Sequence, residues 1–153
     1  MALQEEIKSK KCYPPFGPLS LGIKAGDFIC LSATLPLDCK TGKVESDDFR
    51  TQAEMCLRNL DALLKASGLT SAYVLKTTVY ITDMNNYDIL NEVYAEHFEK
   101  PYPARAVIGV QSLPKNAQIS IEAYAVDTRA LEVIIASEES CCSGKSCGVQ
   151  NDQ

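Results

Sequence analysis

Between residues 46 and 68 the apolar side chains keep a helical beat. Phe49, Ala53, Cys56, Leu57, Leu60, Leu63 and Leu64 fall on one stripe, with charged residues between them. Ser46 or Asp47 is placed to cap the start of this helix, and Gly68 to stop it. The beat then changes. "AYVLKTTVYIT" (72–82) is β-branched and aromatic and predicts a strand, with Leu75, Thr77, Val79 and Ile81 on one face. Val74, Lys76, Thr78 and Tyr80 take the other. After a turn at "DMNN", a second helix follows in "YDILNEVYAEHFEK", striped by Tyr87, Leu90, Val93, Tyr94 and Phe98.

Two further strands, "ARAVIGVQSL" and "AQISIEAYAV", are joined across Pro114-Lys115-Asn116. Upstream, "LSLGIKAG" (19–26) and "GDFICLSATLP" (26–36) read as early strands, and "LDCKTGKV" (37–44) has the chemistry of a hairpin turn. Residues 1–16 read as an irregular polar arm ending in Pro14-Pro15-Phe16. The order of elements predicts an α+β fold, a mixed sheet with both helices packed on one face. Two helices cannot cover both sides of a sheet. The second face is therefore expected to be covered by a partner subunit in a homo-oligomer. Residues 1–127 make up the domain, and 128–153 a C-terminal extension. In that extension "RALEVIIASEE" (129–139) can form a short apolar-striped helix before a flexible tail, "SCCSGKSCGVQNDQ".

Composition adds exclusions. A chain of 153 residues is one domain with room for a core. Its net charge of −5 argues against a nucleic-acid binder, since such binding rests on Lys and Arg displacing counterions from phosphates. No apolar run reaches the ~20 residues of a membrane-spanning helix. The start, "MALQEEIKSKKCYPP", has no apolar core of a secretory signal, so a cytoplasmic protein is expected. The seven cysteines follow suit: an odd number, scattered at Cys12, Cys30, Cys39 and Cys56 and clustered at Cys141, Cys142 and Cys147, suggests reduced thiols.

Two charges break the apolar rhythm of the last strands. Arg105 shares parity with Val107 and Gly109, while Ala104, Ala106 and Ile108 face the other way. Its guanidinium suits a two-point grip on a carboxylate, or else a surface or interface salt bridge. Glu122 shares a face with Ser120, Tyr124 and Val126. A carboxylate there either lies on a solvated face or is paired, and a paired one can order a water or move a proton. His97 is the single histidine, near a helix end, and no second ligand accompanies it to make a zinc site. "GKS" at 144–146 lacks the upstream glycine and the strand of a phosphate-binding loop.

The stretches "FGPLSLGIKAGDFICLS", "LPLDCKTGKV", "QAEMCLRNLDALLKASG", "VLKTTVYITDMNNYDILNEVYAEHF" and "PARAVIGVQSLPKNAQISIEAYAV" resemble the RidA/YjgF family, also labelled endoribonuclease L-PSP, over residues 10–127. The resemblance implies a chorismate-mutase-like fold, a homotrimer with sites between subunits, and cofactor-free hydrolysis of 2-imino acids and their enamines to 2-keto acids and ammonia. It implies that Arg105 binds the substrate carboxylate, that Glu122 positions the water, and that Asn91 and Ser32 lie beside the substrate. Leu19 stands where active members carry tyrosine, Ala33 where they carry glycine, and Val107 where cysteine is frequent. These positions motivate a second reading, a trimeric binder of carboxylate ligands that does not turn them over. The older label supplies a third, an endoribonuclease on single-stranded RNA, against which the acidic balance counts.

Overall fold

The helix predicted from the first apolar stripe is α1 (Phe49–Ala66), and all seven stripe residues are buried. The structure is a computed structural model describing residues 3–142. Asp48 caps α1, rather than Ser46 or Asp47: its carboxylate accepts from the backbone N–H of Thr51 at 2.9 Å. An acidic acceptor one residue before the helix satisfies an orphan donor and meets the positive end of the helix dipole. At the other end Gly68 holds φ +78°, the left-handed conformation that ends helices at least cost in glycine.

Six strands form one mixed sheet. They are β1 (Glu5–Glu6), β2 (Gly22–Ala25), β3 (Phe28–Thr34), β4 (Val74–Ile81), β5 (Ala104–Gly109) and β6 (Ile119–Val126), in the spatial order β1-β2-β3-β6-β4-β5. Only β4 and β5 run parallel, joined by a crossover through α2 (Tyr87–His97). Strand β6 therefore sits between β3 and β4 and not beside β5, its neighbour in sequence. The predicted turn is present as a bridge between Leu37 and Val44. Helices α1 and α2 pack together on one face, over Ile29, Leu31, Val79, Ile81, Ile119, Ile121, Ala123 and Ala125. The other face leaves Phe28, Ile108 and Tyr124 exposed.

Three expectations need correction. The N-terminal arm is not wholly irregular: Glu5 and Glu6 pair with Lys24 and Ile23, and Ile7, Cys12 and Tyr13 enter the core. Tyr13 is drawn in because its hydroxyl accepts the backbone N–H of Leu35, which no strand neighbour takes. Leu75 does not join Thr77, Val79 and Ile81. A bulge between Val74 and Lys76 resets the parity, so Val74 is buried and Leu75 exposed. The C-terminal extension holds a third helix, α3 (Arg129–Cys142), which runs through Cys141 and Cys142 where a flexible tail was expected. Residues 143–153, with Cys147, lie outside the described residues. Among the described residues no helix is long and apolar enough to cross a membrane.

Two measurements check this packing. In urea unfolding, Leu60→Ala, which opens a hole under a fully buried side chain, should cost about 2–5 kcal/mol. Asp48→Ala removes only a cap and should cost about 1 kcal/mol. At the start of α3, Arg129 donates to Asp127 and holds its carboxyl down to about 2, from an ordinary 3.8. A depressed carboxyl stabilises fully above its unfolded value and loses that contribution as pH falls through the folded one. Asp127→Asn should therefore lower the urea midpoint at neutral pH, with the gap closing between pH 4 and pH 2.

Candidate functional site

The strand parity that singled out Arg105 and Glu122 holds in three dimensions. Arg105 pairs with Thr77, on the face that carries the helices. Glu122 pairs with Thr78, on the open face. Within one chain the two charges thus lie on opposite sides of the sheet.

Arg105 is set against α2. Its Nη2 donates to Asn91 Oδ1 at 2.7 Å and to the Tyr87 hydroxyl at 3.4 Å. The guanidinium carbon lies 4.7 Å from the centre of the Tyr94 ring and 5.8 Å from that of Tyr87. Such faces attract a cation and hold its plane. Tyr94 is anchored in turn, its hydroxyl 3.0 Å from Thr77 Oγ1. Burial raises the Tyr94 phenol above its usual value, while Thr77 and Arg105 pull it down. Among the described residues Arg105 has no ion-pair partner, and its Nε and Nη1 donate to no protein atom. Within one chain Arg105 therefore makes no surface salt bridge among the described residues. What remains is a braced guanidinium with two donors open, above a hollow bordered by Met84, Tyr87 and Val107.

Glu122 sits opposite a second bulge. Leu31 pairs with Ala123 and Thr34 with Ile121, so both Ser32 and Ala33 face the single residue Glu122. A bulge of this kind bends the strand and re-aims its side chains. It is held by buried polar ties: Thr34 Oγ1 donates to Ile121 O at 2.9 Å, and Ser120 Oγ donates to Thr34 O at 3.0 Å. From α1, Asn59 Nδ2 donates to the carbonyls of Leu35 and Leu37, each at 2.9 Å, fixing the chain just past the bulge. The bulge opens a pocket of ≈ 420 Å³ in which Ser32, Ala33, Glu122 and Leu19 meet. Tyr80 donates to Glu122 Oε1 at 3.0 Å. Burial and then this carboxylate raise the Tyr80 phenol above its usual value.

The site residues expected from the sequence thus fall into two groups. Arg105, Asn91 and Val107 belong to one, and Glu122, Ser32, Ala33 and Leu19 to the other. Tyr80, Tyr87, Tyr94 and Tyr13 were not anticipated. Tyr87, Asn91 and Tyr94 recur at steps of four and three, which places them on one helix face, and that signal was readable. Tyr80 shares the outward parity of Thr78, but only the register with β6 brings it to Glu122. His97 lies 3.2 Å from Asp61, away from both groups.

A family profile described as endoribonuclease L-PSP matches residues 10–127. The chain belongs to this family. It is 42% identical over 123 residues to a RutC family protein of Pyrococcus horikoshii, covering 80% of this chain and 98% of the other. It is 39% identical to the chloroplastic Reactive Intermediate Deaminase A of Arabidopsis thaliana, covering 80% of this chain and 65% of that one. A 2-iminobutanoate/2-iminopropanoate deaminase of Dermatophagoides farinae is 33% identical, over 73% and 88% of the two chains. Among solved structures, RidA of an Antarctic Psychrobacter superposes with a TM-score of 0.78 at 32% identity, over 80% and 99% of the chains. Escherichia coli TdcF with bound serine does so with 0.77 at 33%, over 80% and 98%. The RidA fold is shared, and the relatives named for imine deamination support a general role of that kind.

The Tyr80–Glu122 contact has a spectroscopic consequence. Glu122→Gln removes the carboxylate's share of the rise and leaves that of burial. Alkaline titration of phenolate absorbance should show one tyrosine titrating at lower pH than in the parent protein. The same substitution in a Tyr80→Phe background should leave the titration unmoved.

Proposed function

We propose that the protein hydrolyses 2-imino acids and their enamine tautomers to 2-keto acids and ammonia, without a cofactor, at clefts between the subunits of a homotrimer. The observation that carries this reading is the separation of Arg105 and Glu122 on opposite faces of one sheet. Each half is incomplete within a chain: a braced guanidinium without a carboxylate partner among the described residues, and a carboxylate lining a pocket on the far side of the sheet. When the open face of one copy packs against the β5 edge of the next, the two halves can share one small substrate. The exposed Phe28, Ile108 and Tyr124 supply apolar surface for that contact.

The chemistry asks little of the protein. A protonated imine carries positive charge beside the carbon to be attacked, and Arg105 holds the adjoining carboxylate through two parallel hydrogen bonds. Glu122 orients a water toward that carbon and takes a proton from it as the C–O bond forms. The resulting carbinolamine receives that proton from Glu122 on nitrogen. As its C–N bond breaks Glu122 takes the hydroxyl proton, so the carbonyl forms and the proton leaves with ammonia as ammonium. Imine cation and water thus become keto acid and ammonium, with no redox step. Positioning supplies most of the rate gain. The bound serine in TdcF, an amino acid with a carboxylate, and the two relatives named as deaminases support this assignment.

Ammonia release from imines generated in situ by an amino-acid oxidase tests the proposal. The protein should accelerate release. Arg105→Ala should lower kcat/KM by ~10–100-fold through the lost charged hydrogen bonds, and Glu122→Gln by ~100-fold or more as the proton acceptor is removed. No acceleration, together with tight binding of 2-keto acids, would transfer the site to the non-catalytic binding reading.

A further inference from the structure

The pocket beside Glu122, of ≈ 420 Å³, is larger and more apolar than a three- or four-carbon imino acid requires. Its floor is made by Leu21 and Leu35, both buried in the core. Phe16 and Leu19 form one rim, 42% and 39% exposed, and Leu113 and Pro114 the other. The rims are linked, since Lys115 Nζ lies 5.2 Å from the centre of the Phe16 ring. Lys115 and Asn116 both hold positive φ, 61° and 55°, in the turn that presents Leu113 and Pro114.

Three of the hydroxyls that border the pocket have their protons committed. Ser32 Oγ donates to Ser20 O at 2.6 Å, Ser120 Oγ to Thr34 O and the Tyr80 hydroxyl to Glu122. The fourth, Tyr13, is 2% exposed, and its oxygen accepts from Leu35 N–H. A substrate side chain entering here therefore meets apolar walls and one carboxylate. A methyl group would leave most of that wall wet, and a polar side chain would lose its water for few partners in exchange. A branched aliphatic, thioether or aromatic side chain would displace water from the whole surface.

We infer that this pocket selects 2-imino and 2-oxo acids with bulky apolar side chains over those bearing a methyl or ethyl group, with Leu19 as a specificity-determining residue. The inference rests on the proposed function for the place of the substrate carboxylate at Arg105, and on the pocket alone for the preference. Leu19 contributes apolar wall at the rim where a tyrosine would bring a hydroxyl. The reaction that supplies such a substrate is the two-electron oxidation, by an amino-acid oxidase or dehydrogenase, of amino acids with large apolar side chains, which leaves an imine at the α-carbon.

Calorimetric titration with 4-methyl-2-oxopentanoate and with pyruvate reads the preference without turnover, and parallel ammonia-release assays on the matching imines read it in catalysis. The branched acid should bind at least ~10-fold more tightly, the weight of one methylene or more in an apolar pocket. Leu19→Ala and, independently, Phe16→Ala should shrink that ratio several-fold. Arg105→Ala should weaken both acids and leave the ratio unchanged. Equal affinities, tighter pyruvate binding, or no binding of either acid would overturn the inference. Hydrolysis without a bulky preference would overturn it and leave the deaminase reading standing. A bulky preference in binding without hydrolysis would support it and remove the deaminase reading.

Discussion

Strand β6 is paired along both edges, with β3 on one side and β4 on the other, and this double pairing leaves its side chains no freedom of register. Ile119, Ile121, Ala123 and Ala125 must enter the core beneath α1, so Ser120, Glu122 and Tyr124 must point away from it. A slip of one residue would put Glu122 in the apolar core and four apolar side chains in water. The same alternation, passed through β4 to β5, sends Arg105 to the helix side. Arg105 and Glu122 are kept apart by the requirement that builds the core. Under the proposed reading, a substrate that meets both charges is therefore shared between copies of the chain.

Alternation alone does not make a pocket. The bulge at Ser32 and Ala33 breaks it locally, and the break is stabilised from below by polar groups in the core. Asn59 and Gln52 are nearly fully buried on α1 yet have partners: Asn59 binds the chain after β3, and Gln52 accepts from Gln118 N just before β6. Buried amides of this kind are costly unless satisfied, and satisfied they fix one arrangement. Helix α1 thus acts as the template that holds the bulge open opposite Glu122. Burial keeps nearby thiols inert, with the Cys12 thiol pushed up to about 11 and Cys56 well above its usual value.

Much of this was legible in the residues. The α1 stripe, the parity of Arg105 with Val107 and that of Glu122 with Ser120 are periodic signals, and local periodicity survives folding. The elements that escaped depend on distant partners. Glu5 and Glu6 look like a polar arm because nothing in their own neighbourhood names Ile23 and Lys24 as their mates. Leu75 follows the strand pattern perfectly and still lies outside, because a bulge is decided by the pairing with β6. The insertion of β6 between β3 and β4 is likewise invisible from chain order. Tyr80 became a neighbour of Glu122 only through that insertion. In α3, Leu131, Ile134 and Ile135 give a helical stripe, yet all three are exposed, so the stripe identified the helix and not its packing.

The central claim is that one working site draws Arg105 and Glu122 from different chains. Mixing tests it most directly. Arg105→Ala and Glu122→Gln proteins, each impaired at least ~10-fold alone, are unfolded, combined in equal amounts and refolded together, and imine hydrolysis is measured. Sites built between copies should recover roughly a quarter of the parent activity, the share of interfaces that by chance receive both intact residues. If both residues of each site come from one chain, the mixture shows no more than the mean activity of its two components, and the account is wrong.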